Sequence, residues 1–394
     1  MMTLTHTSRS RHRHRRQRRS GFTLVEMMVA LTIGAMVIAS VYTIGSSAAR
    51  HFQEQQRVSQ LQLSVRLALD RIRRDAGRAG YLGTMNSATD MPCGPLPAPQ
   101  IRGVLIQNPS PAVPAALTTQ PGFGGTGQAD RLDITGNFRT GDAYAVQQWQ
   151  SNQLLLNTEH LNYHRSFTAN PATAAIDVAL FASTFAAGTP IMARLGGMRF
   201  WTTATAANAD AIGSRATITT AATPACLGDY PGWGEGGILV APVSMVRYEI
   251  LDAPAALTPR VPLATGPNTV LMRTEMNPLT GAILDGPNPI LEYAVHFDVD
   301  TIRDITPPGP LPPVLQIQND GAAALATNNF PGSIRGLRIS LAARTPESDP
   351  RLSGGIAPLA DGTPRAFQVG IGFAGNARVR SAYTEVFLPN AHLN

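Results

Sequence analysis

Apolar residues fill one stretch near the start of the chain almost without interruption, then thin into a regular stripe. Over residues 20–49 the chain reads Ser20-Gly21-Phe22-Thr23-Leu24-Val25-Glu26-Met27-Met28 and continues apolar, and after Glu26 no charged residue appears until Arg50. A helix of ~20 apolar residues spans the ~30 Å of bilayer hydrocarbon, so a membrane-crossing helix is predicted over residues 22–49. Past Arg50, apolar residues recur every three or four positions at Val58, Leu61, Val65, Ala68, Ile72, Ala76 and Ala79. Glutamines, arginines and acids lie between them, and no proline interrupts residues 22–91. This predicts a single helix over 22–79, apolar all round at first and one-sided afterwards, ended by Gly77 and Gly80. The stripe lacks the sustained heptads of a coiled coil, so its apolar side needs a sheet to lie on.

The pattern then changes period. Prolines and glycines crowd residues 92–127, and from 129 onward short alternating segments read as strands. The predicted strands are 130–136, 143–149, 153–157, 176–182, 191–202, 238–251, 268–274, 290–299, 334–343, 365–373 and 378–388. Val243-Ser244-Met245-Val246-Arg247-Tyr248-Glu249-Ile250 shows the alternation most cleanly. No amphipathic helix of ten residues separates these strands, which argues against parallel βαβ units. The expected class is α+β: a long N-terminal helix on an antiparallel sheet, with a large loop-rich and β insertion. The expected division is 1–21 as a basic leader, 22–49 as the membrane helix, 50–80 as its amphipathic half, 81–128 as a Pro/Gly-rich loop and 129–394 as a β-rich domain.

Composition changes this picture in two places. All 32 basic residues are arginine, so mechanisms that need a Schiff-base or P-loop lysine are excluded. Seven of these arginines lie in residues 1–21, and subtracting them from the net charge of +6 leaves −1. A basic run directly before an apolar span follows the positive-inside rule, and the remaining body has no basic excess to attract nucleic acid. The cut site of a secretory signal peptide follows its apolar core, whereas the small residue Gly21 precedes this one.

Glu26 stands four residues inside the apolar run. A carboxylate there costs a few kcal/mol and implies a partner. A basic leader ending in Gly21, then Phe22, then an acid as the fifth residue after that glycine, then an apolar helix, resembles the type IV prepilin signature. The resemblance implies cleavage between Gly21 and Phe22 by a prepilin peptidase and N-methylation of Phe22. It also implies that Glu26 compensates a neighbouring subunit's N-terminal charge in a filament. Arg74-Asp75, a small-residue turn and Ala79-Gly80-Tyr81-Leu82-Gly83 are similar to the PilW family of minor pilins. In that family a cysteine often follows the last glycine directly; here Cys93 comes later. The segments around 246–249, 271–273, 334–341 and 383–390 resemble the C-terminal half of PilW and of J-type pseudopilins, while the resemblance does not extend to residues 92–237.

The implied role is a minor pilin that helps prime type IV pilus growth at or near the tip. The implied partners are other minor pilins, the major pilin and the inner-membrane assembly platform. Its place would be the inner membrane, single-pass with a cytoplasmic N-terminus, and then the cell surface. The alternatives are a J-type pseudopilin of type II secretion, or a tip adhesin or receptor acting through residues 92–237. No cofactor, metal or enzymatic activity is expected. His160 and His164 lie in an expected loop without a third ligand. Asp298, Asp300 and Asp304 suggest an acidic calcium loop, but Ile302 sits where that pattern needs an oxygen and the bidentate glutamate is missing. Gly122-Phe123-Gly124-Gly125-Thr126-Gly127 matches a dinucleotide motif without the strand before it or the helix after it.

After export, Cys93 and Cys226 face an oxidising compartment, where a disulfide between them is expected; two separate buried thiols are the alternative. Alkylation of the exported native protein without prior reduction is therefore expected to produce no gel shift. Two reactive thiols would rule the bridge out.

Overall fold

The computed structural model describes residues 21–87, 100–118, 129–170, 175–196, 198–212, 214–223, 237–254, 268–306, 312–318, 334–349, 365–368 and 376–389. Cys93, Cys226, the glycine cluster 122–127 and all of the leader before Gly21 lie outside these residues. The chain divides into two units, residues 1–57 and 58–394.

The N-terminal helix runs Leu24–Ala76, 53 residues without a break. Its end follows from local chemistry. Gly77 N–H still bonds to Arg73 C=O at 2.9 Å, and turns at Arg78 and Ala79 then carry the chain to Gly80, whose φ is +68°. Only a residue without Cβ takes that conformation cheaply, and a Cβ at Gly80 would lie 2.7 Å from Met85 Sδ.

In the second unit two five-stranded sheets share one core. The first runs Val104–Gln107, Arg131–Gly136, Ser244–Asp252, Thr269–Met276, Ile283–Glu292 in spatial order. The second runs Leu315–Gln318, Ala294–Asp304, Ile334–Arg344, Asn376–Phe387, Ala366–Gln368. Among the described residues every strand pairing in them is antiparallel. The stripe residues Val65, Ala68, Leu69, Ile72 and Ala76 join the core with Ile134, Val246 and Leu271 of the first sheet and Phe297, Ile339 and Leu341 of the second. Asp130 stitches the sheets together: its N–H donates to Phe297 C=O, and its Oδ2 accepts from Val299 N–H, both at 2.8 Å.

The described residues between Gly136 and Ser244 form an inserted body. Gly136 pairs directly with Ser244, so the chain leaves the first sheet at one strand and returns on that strand's neighbour. Between them a closed six-stranded barrel runs Leu239–Pro242, Tyr144–Gln150, Gln153–Leu156, Ala216–Thr220, Met198–Ala209, Pro190–Leu195 and back to its start. It has its own core, built on Tyr144, Trp149, Phe167, Phe181, Phe185 and Phe200.

Several sequence expectations change. Of segment 176–182 only Ile176 is in a strand, the short Ala175–Ile176; Val178–Thr184 is a helix, capped by Asp177 Oδ1 accepting from Leu180 N–H at 2.8 Å. His160 and His164 sit on a helical segment rather than in a loop, because Leu161–Phe167 is helical with His160 as its N-cap. Both helices carry buried aromatics four residues apart, Tyr163 with Phe167 and Phe181 with Phe185, and these pairs meet in the barrel core. The expected strand 191–202 is a hairpin turning at Gly196, φ +59°. Segment 238–251 is split between two bodies: Leu239–Pro242 closes the barrel, and Ser244–Asp252 enters the first sheet. Segment 290–299 breaks at Tyr293, φ +56°, where the chain turns from the first sheet to the second. Strands Val104–Gln107, Ala216–Thr220 and Leu315–Gln318 were not expected, and with the short helix Ala115–Thr118 the stretch 81–128 is not wholly loop. In the expected strand 365–373, Ala366–Gln368 is observed and the rest lies outside the described residues.

The helix end is fixed to the first sheet by a buried polar cluster. Tyr248 and Arg273 are direct cross-strand partners, and both reach Asp75. Asp75 Oδ2 accepts from the Tyr248 hydroxyl at 2.6 Å and from Arg273 Nε at 2.8 Å, with Arg71 Nε at 3.8 Å. Burial pushes the Tyr248 phenol up, and the Asp75 charge pushes it further. Burial works against the Arg273 charge, but the bond to Asp75 and its negative charge outweigh it, so the net direction is up. Removing one partner strands a buried charge, so Asp75→Ala is expected to cost about 3–5 kcal/mol. Tyr248→Phe, which removes one hydrogen bond, should cost about 1–2 kcal/mol. Urea unfolding of the purified chain in detergent checks this order; equal midpoints for the two variants would contradict it.

Candidate functional site on the N-terminal helix

In the first unit the helix exposes its apolar side chains. Phe22 is 85% exposed, and Leu24, Leu31, Met36 and Ile38 are exposed in the same way. Such a surface needs lipid or other chains around it. The segment is long and apolar enough to cross a membrane, and its few hydroxyls need no water. Thr32 Oγ1 bonds to Val29 C=O at 2.9 Å, Ser40 Oγ to Met36 C=O at 2.8 Å, and Thr43 Oγ1 to Ser40 C=O at 2.8 Å.

Glu26 has a local role that its isolation in the apolar run concealed. The helix begins at Leu24, which makes Thr23 its N-cap and Glu26 the third helical residue. Thr23 Oγ1 accepts from Glu26 N–H at 3.2 Å, and Glu26 Oε2 accepts from Thr23 N–H at 3.0 Å and from its hydroxyl at 3.1 Å. This is a reciprocal capping box, written in the sequence as Thr23-Leu24-Val25-Glu26. It satisfies two amides that would otherwise be orphaned at the helix start, and it sets a negative charge at the positive end of the helix dipole. Both bonds use Oε2, and among the described residues Oε1 accepts none.

Around Glu26 one helix face carries Phe22, Met27, Ala30, Gly34 and Ile38. Nothing lies within 4 Å of where a Cβ on Gly34 would stand. Small residues at 30 and 34 let another apolar helix approach closely. The face thus offers one carboxylate oxygen, an exposed aromatic and a shallow apolar groove.

The other candidate sites do not assemble. His160 Nδ1 accepts from Asn162 N–H at 3.3 Å, a capping role. Asp298, Asp300 and Asp304 lie along the strand Ala294–Asp304, not on a loop that curls around an ion, and Asp304 pairs with Arg335 at 3.2 Å. Among the described residues no group of three or more His, Cys, Asp or Glu is placed to hold a metal.

Residues 16–42 match the prokaryotic N-terminal methylation motif. No curated protein and no solved structure matches the chain. The motif and the long apolar helix that carries it support a membrane-anchored protein of the type IV pilin-like kind, and the antiparallel body behind that helix fits the layout of one.

The capping box makes its own prediction. Thr23→Ala is expected to fray the first turn at a cost of about 1 kcal/mol. In detergent micelles this should appear as faster amide exchange at Glu26; an unchanged rate would count against the cap.

Proposed function

We propose that this chain is a minor pilin of the PilW type, which helps prime growth of a type IV pilus and stays at or near its tip. Prepilin peptidase cuts between Gly21 and Phe22, the new Phe22 amine is N-methylated, and the helix enters a bundle with other minor pilins and the major pilin on the inner-membrane assembly platform. The observation that carries this reading is the state of Glu26 within the methylation motif: one carboxylate oxygen closes the helix cap, and the other accepts no hydrogen bond among the described residues, on an apolar helix face. In a low-dielectric bundle an unpaired carboxylate costs several kcal/mol, and the N-terminal amine of an adjacent subunit is a cation that meets it at the same depth. Cys93 and Cys226 are proposed to be bridged after export.

A second reading adds to the first, and a specific observation favours it. The barrel is spliced between two adjacent strands of the first sheet and carries a separate core, as a module does that is displayed by the pilin body rather than required by it.

The proposal is tested in two places. A bulky residue at Gly21 is expected to block cleavage, and mass spectrometry of filament-associated protein should find Phe22 at the N-terminus; an intact leader there would overturn the assignment. Glu26→Ala is expected to insert and be cleaved, because it removes a charge from the apolar run, yet to lower surface piliation and co-purification with other minor pilins. Wild-type values for both would deny Glu26 a pairing role.

A further inference from the structure

The helix Leu24–Ala76 has a second face where it runs through the second unit. Val65, Ala68, Leu69, Ile72 and Ala76 are buried on one side. Leu63, Arg66, Leu67, Asp70, Arg73 and Arg74 follow three- and four-residue spacing on the other side, and all six are exposed. Leu63 and Leu67 stand one turn apart, 58% and 59% exposed. A single exposed leucine is ordinary, but two stacked on one ridge form a continuous apolar strip. The core does not need this strip, because its contacts come from the opposite side of the helix.

The charge beside the strip is concentrated there. Residues 57–74 hold five arginines (Arg57, Arg66, Arg71, Arg73, Arg74) and one acid, Asp70, a net of +4. The chain after Gly21 sums to −1, so everything outside this segment sums to −5. Little of the positive charge is spent inside the molecule. Arg71, on the flank, lies 3.8 Å from Asp75. Arg74 Nε donates to the Asp70 C=O at 3.2 Å, a backbone contact that leaves its charge uncompensated. Among the described residues Arg66, Arg73 and Arg74 are in no ion pair.

These two features together select the occupant. Nucleic acid would take the arginines but has no use for two leucines at the centre of the ridge. A protein helix uses both, with apolar side chains at the seam and charges beside it. Arg66, Asp70, Arg73 and Arg74 give the face a charge of +2. A second copy lying alongside would set these arginines against their own counterparts, and like charges across a close seam repel.

We infer that this face docks a helix of a different filament subunit, one with apolar residues at its seam and Asp or Glu beside them. The inference rests on the reading of the chain as a filament subunit. Leu63 and Leu67 fill the seam, and Arg66, Arg73 and Arg74 take the partner's carboxylates, which their planar forks match. The charge makes the contact heterotypic: it admits an acidic neighbour and turns away a second copy of this chain.

The test makes the acidic partner from the chain itself. Arg66→Glu with Arg73→Glu changes the face by four charges, from +2 to −2, and both side chains are exposed, so the core is untouched. The processed chain from Phe22 to Asn394 is examined in detergent micelles by sedimentation equilibrium. Three samples are compared: the wild type, the charge-reversed form and an equal mixture. The membrane segment is the same in all three and contributes equally. The mixed pair is expected to associate at least about tenfold more tightly than either form with itself. Leu63→Asn with Leu67→Asn in the wild-type chain is expected to remove that gain. A mixture no tighter than the separate forms would overturn the inference, as would a gain that survives loss of both leucines. Wild type that binds a short DNA duplex more tightly than it binds the charge-reversed chain would assign the face to nucleic acid instead. Because the processed form is made directly, failure here leaves the tests of Gly21 and Glu26 standing, and their failure leaves the association result standing.

Discussion

Asp75 is a carboxylate at the end of a helix, 5% exposed, in a core that would otherwise reject it. It is held there by Tyr248 and Arg273, which arrive from neighbouring strands in the same register. That one contact ties together parts far apart in sequence. It fixes the rotation of the helix, so that Val65, Leu69, Ile72 and Ala76 face the sheets, and it fixes the pairing of Ser244–Asp252 with Thr269–Met276. A slip of one residue would turn Tyr248 or Arg273 to the other face and leave Asp75 charged and alone. The purpose of such a buried ionic group is specificity of register more than net stability, since desolvation offsets much of its attraction.

From this anchor the chain passes directly into the turn that places the barrel. Gly80 N–H bonds to Thr135 C=O at 2.8 Å, and Asn137 N–H bonds to Tyr81 C=O at 2.9 Å, so the turn after the helix lies against the strand from which the insertion departs. The approach is so close that a Cβ on Gly136 would stand 2.6 Å from Arg78 C=O. Arg78 then reaches Asn137 C=O and stacks 5.2 Å from the Phe138 ring. The helix end and the stem of the barrel are therefore one continuous piece of structure. An insertion is tolerated here because its two ends lie on paired strands, which leaves the ladder around them unbroken.

At the other end of the helix the same economy holds for Glu26. A carboxylate in an apolar run is costly as an isolated group, but half of its hydrogen-bonding capacity closes the cap with Thr23. Only the remaining oxygen needs a partner from outside. This division lowers the cost of an acid within the apolar run.

Much of this was legible in the sequence because it depends on local periodicity. The unbroken apolar run, the three-and-four stripe from Val58 to Ala79, the glycines that end the helix and the alternation of most strands are properties of neighbours in the chain. The capping box is written there too, as Thr23-Leu24-Val25-Glu26. The helices at Leu161–Phe167 and Val178–Thr184 were signalled by aromatic residues four apart, a weaker sign than a full stripe because each helix makes only two turns. What the sequence by itself determined, then, was the anchor helix, its processing motif and an antiparallel α+β body. Tertiary structure alone decided that residues 238–251 serve two bodies, that Tyr293 turns the chain between sheets, that the barrel closes, and that Asp75 meets Tyr248 and Arg273. The reason is physical: strand order and buried pairing join residues more than a hundred positions apart, and no local period records which distant partner a strand edge or a buried charge will find.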